Sequence, residues 1–294
     1  MVSAAHTVLG EVPAGRLGVV DAHDHLFIRS PRLPGQEMDD VEDAAARLAA
    51  FGSLGGATVV QWTPYGMGRR VAELPALSRE SGVHIVAATG LHQAAHYTAE
   101  LLASVRDRLA ELFTGELTEG IGDTGVRAGL IKVAGGFHGL DEHAVLTMRG
   151  AAEAHRRTGA PIAVHLELGT GALDVLDLLC GELGVAPGSV ILGHLNRSPD
   201  FAVHRLAAEA GANLAFDGPS RANHATDWRM PDALRALADA GFADRLLLGG
   251  DTVTPDTPGM AHLLRRVAPR LELDLGKDLL ERILVTNPAR VYAW

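Results

Sequence analysis

The sequence has one cysteine among 294 residues, so no disulfide can form within the chain and a metal site built on thiolates is excluded. Aromatic residues make up 4% of the chain. No run of about 18 apolar residues occurs, so we expect no membrane-spanning helix. Lysine and arginine number 26 against 36 aspartate and glutamate residues, and the resulting net charge of −10 argues against nucleic acid as a partner.

Residues 1–20 lack the basic start and the apolar stretch of a secretory signal peptide, so we expect a cytoplasmic protein. The one residue type in clear excess is histidine, with 14 copies. Because sulfur ligands are almost missing, a metal site in this chain would use nitrogen and oxygen ligands.

Short runs of valine, isoleucine and leucine alternate with amphipathic stretches along the whole chain. The eight apolar runs are residues 17–22, 57–63, 83–90, 128–135, 161–168, 190–196, 212–218 and 246–252. Such runs are typical of strands that are buried on both faces of a parallel sheet. Eight strand-then-helix units predict an α/β fold, a (β/α)8 TIM barrel that forms a single domain over residues 1–294. Residues 1–16 are expected to be an N-terminal lead-in, and residues 98–113 to be one helix.

A doubly wound open sheet is the alternative fold, but no predicted strand is followed by a G-x-G-x-x-G turn. In a barrel, the chemistry lies at the carboxyl ends of the strands. Five predicted strands contain or end at a nitrogen or oxygen ligand type, and these residues are His23, His25, Lys132, His165, His194 and Asp251.

His23 and His25 are two residues apart on one strand, so both side chains point to the same face. A single histidine in a strand is more often a core residue with satisfied hydrogen bonds than a metal ligand. Four such histidines that converge with an aspartate indicate a metal site instead.

Lys132 interrupts the apolar run GLIKVAGG, where a bare cation is costly to bury. One interpretation is an internal ion pair, with Asp251 as the partner. The other is chemical modification, because burial lowers the pKa of a lysine and leaves a neutral amine that can capture CO₂. The resulting carbamate is anionic and bidentate, so it can bridge two divalent cations.

Motifs spread over nearly the whole chain, taken in order, resemble the phosphotriesterase family of the amidohydrolase superfamily. They are TVLGEVPAGRLGVVDAHDHL, HIVAATGL, AGLIKVAGG, IAVHLELGTGAL, ILGHLNRSPD, LLLGGDT and LVTNPARVYAW. The resemblance implies a centre of two divalent metal ions, usually zinc. His23, His25 and Asp251 would hold the more buried ion, and His165 and His194 the more exposed ion. Lys132, carboxylated on its amine, would bridge both ions together with a hydroxide.

The activity that this resemblance implies is ester hydrolysis of a small molecule by the bridging hydroxide, with Lys132 and Asp251 as catalytic residues. Asp251 is suited to accept the proton of the attacking hydroxide. A small or anionic lactone is the expected substrate. The alternatives are an organophosphate triester and a non-catalytic binding role on the same barrel. Members of the family are often dimers, so the resemblance also implies a homodimer.

Several positions depart from the family pattern. Arg197 stands three positions after the strand 6 histidine, where many members carry an acidic residue of a proton relay. His92 stands where the lactonase branch has a tyrosine, and Gly218 follows Asp217 where that branch has an arginine. The loop after Asp251 is short, which disfavours a deep pocket for a long acyl chain.

Two arginines, Arg197 and Arg221, follow strands 6 and 7 close to the expected mouth of the barrel. We expect one or both to bind an anionic group of the substrate, such as a carboxylate or a phosphate. The alternative for each is a surface salt bridge. His92 and Trp62 are further candidates for substrate contact, and packing in the barrel core is the alternative for Trp62.

Overall fold

The computed structural model describes residues 3–218, 224–255 and 258–294. An antiparallel hairpin of β1 (Ala4–Thr7) and β2 (Gly10–Pro13) precedes a sheet of eight parallel strands that follow one another in chain order. These strands are β3 (Val19–Asp24), β4 (Gly56–Gln61), β5 (His84–Gly90), β6 (Leu130–Ala134), β7 (Ile162–His165), β8 (Val190–Gly193), β9 (Asn213–Asp217) and β10 (Leu246–Gly249).

The sheet curves until its first and last strands lie side by side. Just beyond β10, the N–H of Asp251 donates a hydrogen bond of 2.9 Å to the carbonyl of His23 in β3. The predicted (β/α)8 barrel is therefore confirmed, and each of the eight predicted apolar runs overlaps with one strand.

Helices follow the strands and cover the outside of the barrel. They are α1 (Val41–Ser53), α2 (Leu74–Ser81), α3 (Ala99–Val105), α4 (Leu109–Thr118), α5 (Glu142–Thr158), α6 (Ala172–Leu176), α7 (Phe201–Glu209), α8 (His224–Asp227), α9 (Met230–Asp239), α10 (Gly259–His262), α11 (Ala268–Leu275), α12 (Lys277–Glu281) and α13 (Asn287–Tyr292). Within the three described segments, no helix combines the length and the apolar character needed to cross a membrane.

The prediction of one helix over residues 98–113 is wrong. A short 3₁₀ turn over Arg106–Arg108 separates α3 from α4. The turn redirects the chain so that Leu109 packs against α5 at Gly150, where an added Cβ would lie 2.8 Å from the Cβ of Leu109. Tertiary packing thus overrides a continuous helical pattern in the sequence.

Apolar side chains pack in two layers, one inside the barrel and one between the strands and the helices. The N-terminal hairpin closes the end of the barrel that faces away from the strand carboxyl ends. Ala5 of β1 joins the interior layer, the N–H of Val8 donates to the carbonyl of Ile85 over 2.9 Å, and the N–H of Trp294 donates to the carbonyl of Ala4 over 3.2 Å. The polar candidate residues lie at the other end of the barrel, at the carboxyl ends of the strands.

A buried ion pair fixes the segment after β4 to α4 and β5. The guanidinium of Arg69 donates to both carboxylate oxygens of Glu116, over 2.8 and 2.5 Å, and also to the carbonyl of Ala88 over 2.7 Å. The hydroxyl of Thr89 donates to the same carboxylate over 2.6 Å. Each charge is therefore compensated inside the protein, which is the condition for burying an ion pair at low cost.

We expect Arg69→Met to lower the free energy of unfolding by about 3–5 kcal/mol, because it leaves the buried carboxylate of Glu116 without its countercharge. The measurement is denaturant unfolding followed by circular dichroism. Arg106→Met is the matched control. Arg106 and Glu142 form an exposed pair at 2.8 Å, and its loss should cost about 1 kcal/mol or less. Equal losses in the two variants would contradict a special role for the buried pair.

Candidate active site

All six predicted ligands surround one cavity of about 320 Å³ at the carboxyl ends of the strands. His23 lies in β3, Lys132 in β6 and His165 at the end of β7. His25, His194 and Asp251 lie just beyond β3, β8 and β10 respectively. Because all eight strands run in the same direction, residues far apart in the sequence meet at this one end of the barrel.

The first group of ligand types consists of His23, His25 and Asp251, all buried, whose ligand atoms lie within 4.8 Å of one another. The Nε2 atoms of His23 and His25 lie 3.5 and 3.6 Å from Oδ1 of Asp251. On the far side of each ring, Nδ1 of His23 lies 2.9 Å from Oδ1 of Asp217, and Nδ1 of His25 lies 2.8 Å from the hydroxyl of Thr63. These outer contacts aim both Nε2 atoms at one point, the arrangement found around metal-binding histidines.

The second group is formed by His165 and His194. Nδ1 of His165 lies 2.8 Å from Nε2 of His194. The opposite ring atoms face carboxylates, since Nε2 of His165 lies 3.0 Å from Oε2 of Glu167 and Nδ1 of His194 lies 2.8 Å from Oδ2 of Asp217. Each ring thus has one nitrogen directed at the shared space and one directed at a carboxylate, which suits a second metal position.

Asp217 connects the two groups of histidines. The sequence analysis does not predict a role in the site for it. Its carboxylate faces His23 with one oxygen and His194 with the other, and it also accepts a hydrogen bond of 2.7 Å from the N–H of His194. Burial opposes ionisation of Asp217, but His23 and His194 hold its pKa well below the ordinary value. The sequence signal that could have identified Asp217 is its position at the end of a predicted strand, where the other candidate ligands also lie.

Histidine must be neutral to act as a metal ligand, and burial favours that form here. Burial lowers the pKa of His25, and it lowers the pKa of His165 further with the help of His194. The pKa of His194 falls to about 4, mainly through burial and then through the positive charge of Arg197.

Lys132 lies among these rings, almost fully buried. Among the described residues it makes no ion pair, so the interpretation of a direct salt bridge with Asp251 is not supported. Burial lowers the pKa of Lys132 to about 7, although the charge of Asp251 acts in the opposite direction. A buried amine without a countercharge, next to two clusters of nitrogen and oxygen donors, fits a carbamate that bridges two divalent cations.

The backbone is strained at two of the six residues. His194 has φ 66° and Asp251 has φ 49°, in the left-handed region that residues other than glycine rarely adopt. Hydrogen bonds hold both conformations, from the N–H of His194 to Asp217 and from the N–H of Asp251 to the carbonyl of His23. Strain of this kind is concentrated at functional sites.

Arg197 lines the cavity, but its guanidinium contacts Oδ2 of Asp251. The pair is buried rather than on the surface, so the predicted surface salt bridge is not what the structure has. Burial opposes ionisation of Asp251, yet Arg197 and the nearby histidines hold its pKa well below the ordinary value. Arg221, the other arginine expected to bind an anion, lies outside the described residues.

The two other predicted substrate contacts have different environments. His92 lines the cavity, and its ring centroid lies 4.5 Å from that of His165. Trp62 is fully buried and stacks on His23 with the ring centroids 3.8 Å apart, while its indole N–H donates to the carbonyl of Ala22 over 2.9 Å. The expectation that Trp62 contacts substrate is therefore replaced by its alternative, packing in the barrel core beneath a candidate ligand.

The model of the phosphotriesterase family matches residues 3–292. The chain belongs to the phosphotriesterase family. It is 30% identical over 325 residues to a phospho-furanose lactonase of Mycoplasmopsis synoviae, covering 99% of this chain and 92% of that protein. The structure of a lactonase from Listeria monocytogenes is similar with a TM-score of 0.90 and 26% identity, covering 99% of both chains.

A mutant of an organophosphorus hydrolase from Deinococcus radiodurans also matches this phosphotriesterase-family member. Its structure has a TM-score of 0.88 and 29% identity, covering 98% of this chain and 97% of that chain. These matches confirm the predicted family and the prediction of an enzyme that hydrolyses ester bonds.

We expect Glu167→Ala to weaken zinc binding by about 10- to 100-fold, because Glu167 accepts from Nε2 of His165 and so leaves Nδ1 free to bind a metal. Competition with a chromophoric chelator measures this affinity. Glu182→Ala, which removes a carboxylate from an exposed surface pair, is the control. Unchanged zinc affinity in the Glu167 variant would show that its carboxylate does not orient the ring.

Proposed function

We propose that the protein is a hydrolase with two divalent metal ions, of which zinc is the expected identity, that opens small or anionic lactones. The convergence of six nitrogen and oxygen donors around one cavity carries this proposal. His23, His25 and Asp251 would hold one ion and His165 and His194 the other. Lys132, carboxylated on its amine, would bridge them.

Divalent ions in such a site lower the pKa of water and polarise the carbonyl of an ester. The protein itself orients the candidate ligands and shapes the cavity. Asp217, Thr63 and Glu167 orient the histidines. The apolar side chains of Ile28, Leu33 and Met67 line part of the same cavity.

Asp251 directs Oδ1 toward the two histidines of β3 and Oδ2 toward Arg197. We propose that Asp251 accepts a proton from the attacking water at Oδ2. This is the carboxylate oxygen that does not face His23 and His25. Arg197 favours the ionised carboxylate, so it opposes a stable proton there. Asp251 is therefore proposed to carry the proton only transiently.

Three observations support a lactone as the substrate class. The relative from Mycoplasmopsis synoviae and the structure from Listeria monocytogenes are both named as lactonases. The cavity of about 320 Å³ is at the small end for ligand sites, which suits a compact ring. Arginines at its lining favour a substrate with an anionic group, although binding of that group by Arg197 stays a prediction.

An organophosphate triester is the second candidate substrate, because the chain also resembles an organophosphorus hydrolase over almost its whole length. A triester is neutral, so it would gain nothing from cationic side chains at the mouth.

A cytoplasmic location and a homodimer also stay predictions.

We expect elemental analysis of protein prepared with zinc and bicarbonate to give close to two zinc ions per chain. Lys132→Ala should lose most of the bound zinc and nearly all of the activity, because it removes the bridge. Protein labelled with ¹³C-bicarbonate should show a carbamate carbon in its NMR spectrum, and the variant should not. Metal-free protein with an unmodified Lys132 would overturn the proposal.

The substrate class is tested by kcat/KM on a γ-lactone phosphate, a neutral γ-lactone and an organophosphate triester. We expect the values to fall in that order. A triester hydrolysed faster than both lactones would replace the leading proposal with the second candidate.

A further inference from the structure

A second arginine, Arg32, lines the same cavity and comes from a different strand-to-helix connection than Arg197. Arg32 lies in the segment between β3 and α1, where it is exposed and lines the cavity together with His96 and Gln93. Among the described residues, no carboxylate forms an ion pair with its guanidinium. Arg32 therefore places an uncompensated positive charge at the entrance of the site.

This distinguishes Arg32 from Arg197. The guanidinium of Arg197 contacts Oδ2 of Asp251, and only 13% of the Arg197 side chain is exposed. An anion bound to Arg197 would share the charge of that guanidinium with the buried carboxylate. Arg32 can bind an anion without breaking any existing pair.

The backbone that carries Arg32 is held in place. The hydroxyl of the buried Ser30 accepts a hydrogen bond of 3.1 Å from the N–H of Arg32 and lies 2.9 Å from Nδ1 of His96. Ile28 and Met38 pair their backbones over 2.9 Å in both directions, which closes the base of the loop. The guanidinium is thus presented from an ordered loop, which reduces the entropy lost on binding.

The neighbouring polar groups leave Arg32 as the binding partner for an anion on this side of the mouth. Burial lowers the pKa of His96 to about 4, so its ring is neutral near pH 7. The carboxylate of Glu167 accepts from His165 and Gln93 and would repel an anion. An anionic group is therefore directed toward the loop that carries Arg32.

We propose that Arg32 forms the subsite for the anionic group, a phosphate or a carboxylate, of a lactone whose ring carbonyl lies at the ligand cluster. The inference rests on the proposed function, because it assumes that the substrate reaches the six-residue cluster. It assigns the discrimination between anionic and neutral lactones to the loop after β3 rather than to Arg197.

The test compares a γ-lactone phosphate with the neutral γ-lactone of the same ring in the zinc-loaded enzyme. We expect Arg32→Ala to raise KM for the phosphate and to lower the ratio of kcat/KM between the two lactones by about tenfold or more, as expected for loss of a hydrogen bond to a charged group. Arg32→Lys should restore part of the ratio, because it keeps the charge but not the planar fork. Arg29→Ala is the matched control, since Arg29 is exposed in the same loop but lines a separate cleft, and it should keep the wild-type ratio.

A second readout separates this inference from the proposed function. Tetrahydrofurfuryl phosphate has the ring and the phosphate but no lactone carbonyl, and its binding is measured by calorimetry. Weaker binding to Arg32→Ala than to wild type would support the subsite even if neither lactone is hydrolysed, an outcome that would overturn only the proposed function. An unchanged kcat/KM ratio together with unchanged binding of this probe would overturn the inference while leaving the hydrolase intact.

Discussion

The candidate site depends on how closely the first and last strands of the barrel approach each other. The carbonyl of His23 accepts a hydrogen bond from the N–H of Asp251, so two candidate ligands from opposite ends of the sequence become neighbours. Gly249 makes this approach possible, because an added Cβ would lie 2.6 Å from that carbonyl oxygen. In an open sheet the same two strands would form opposite edges, and the ligand set would be divided.

The charges at the open end are stabilised as one cluster rather than as separate pairs. Asp217 faces two imidazoles, Asp251 faces three imidazoles and one guanidinium, and Lys132 stands without a countercharge of its own. Because the groups are buried together, a change at one alters the protonation energy of the others. This coupling explains why residues that do not line the cavity, such as Asp217, matter to the ones that do.

Much of this arrangement could be predicted from sequence, since buried parallel strands give apolar runs and a polar residue inside such a run is conspicuous. This reasoning identifies Lys132 and the strand histidines as candidate ligands. The break between α3 and α4 could not be predicted from sequence, because it depends on close packing of Leu109 against Gly150. The position of Arg69 against Glu116 depends on a contact 47 residues apart in the chain. Trp62 was ambiguous because an aromatic residue at a strand end suits either the core or the pocket.

The stacking of Trp62 on His23 gives the barrel an internal optical probe. The two rings are 3.8 Å apart and inclined by only 19°, so the indole is sensitive to the electron density of the imidazole. A cation bound to that imidazole would withdraw density from it and alter the emission of the tryptophan. Trp228, which is 67% exposed, would contribute a solvent-like signal at longer wavelength. Trp294, whose ring lies against His6, would contribute a signal that does not change with occupancy of the site. Occupancy of the most buried part of the site can therefore be followed in the unlabelled protein.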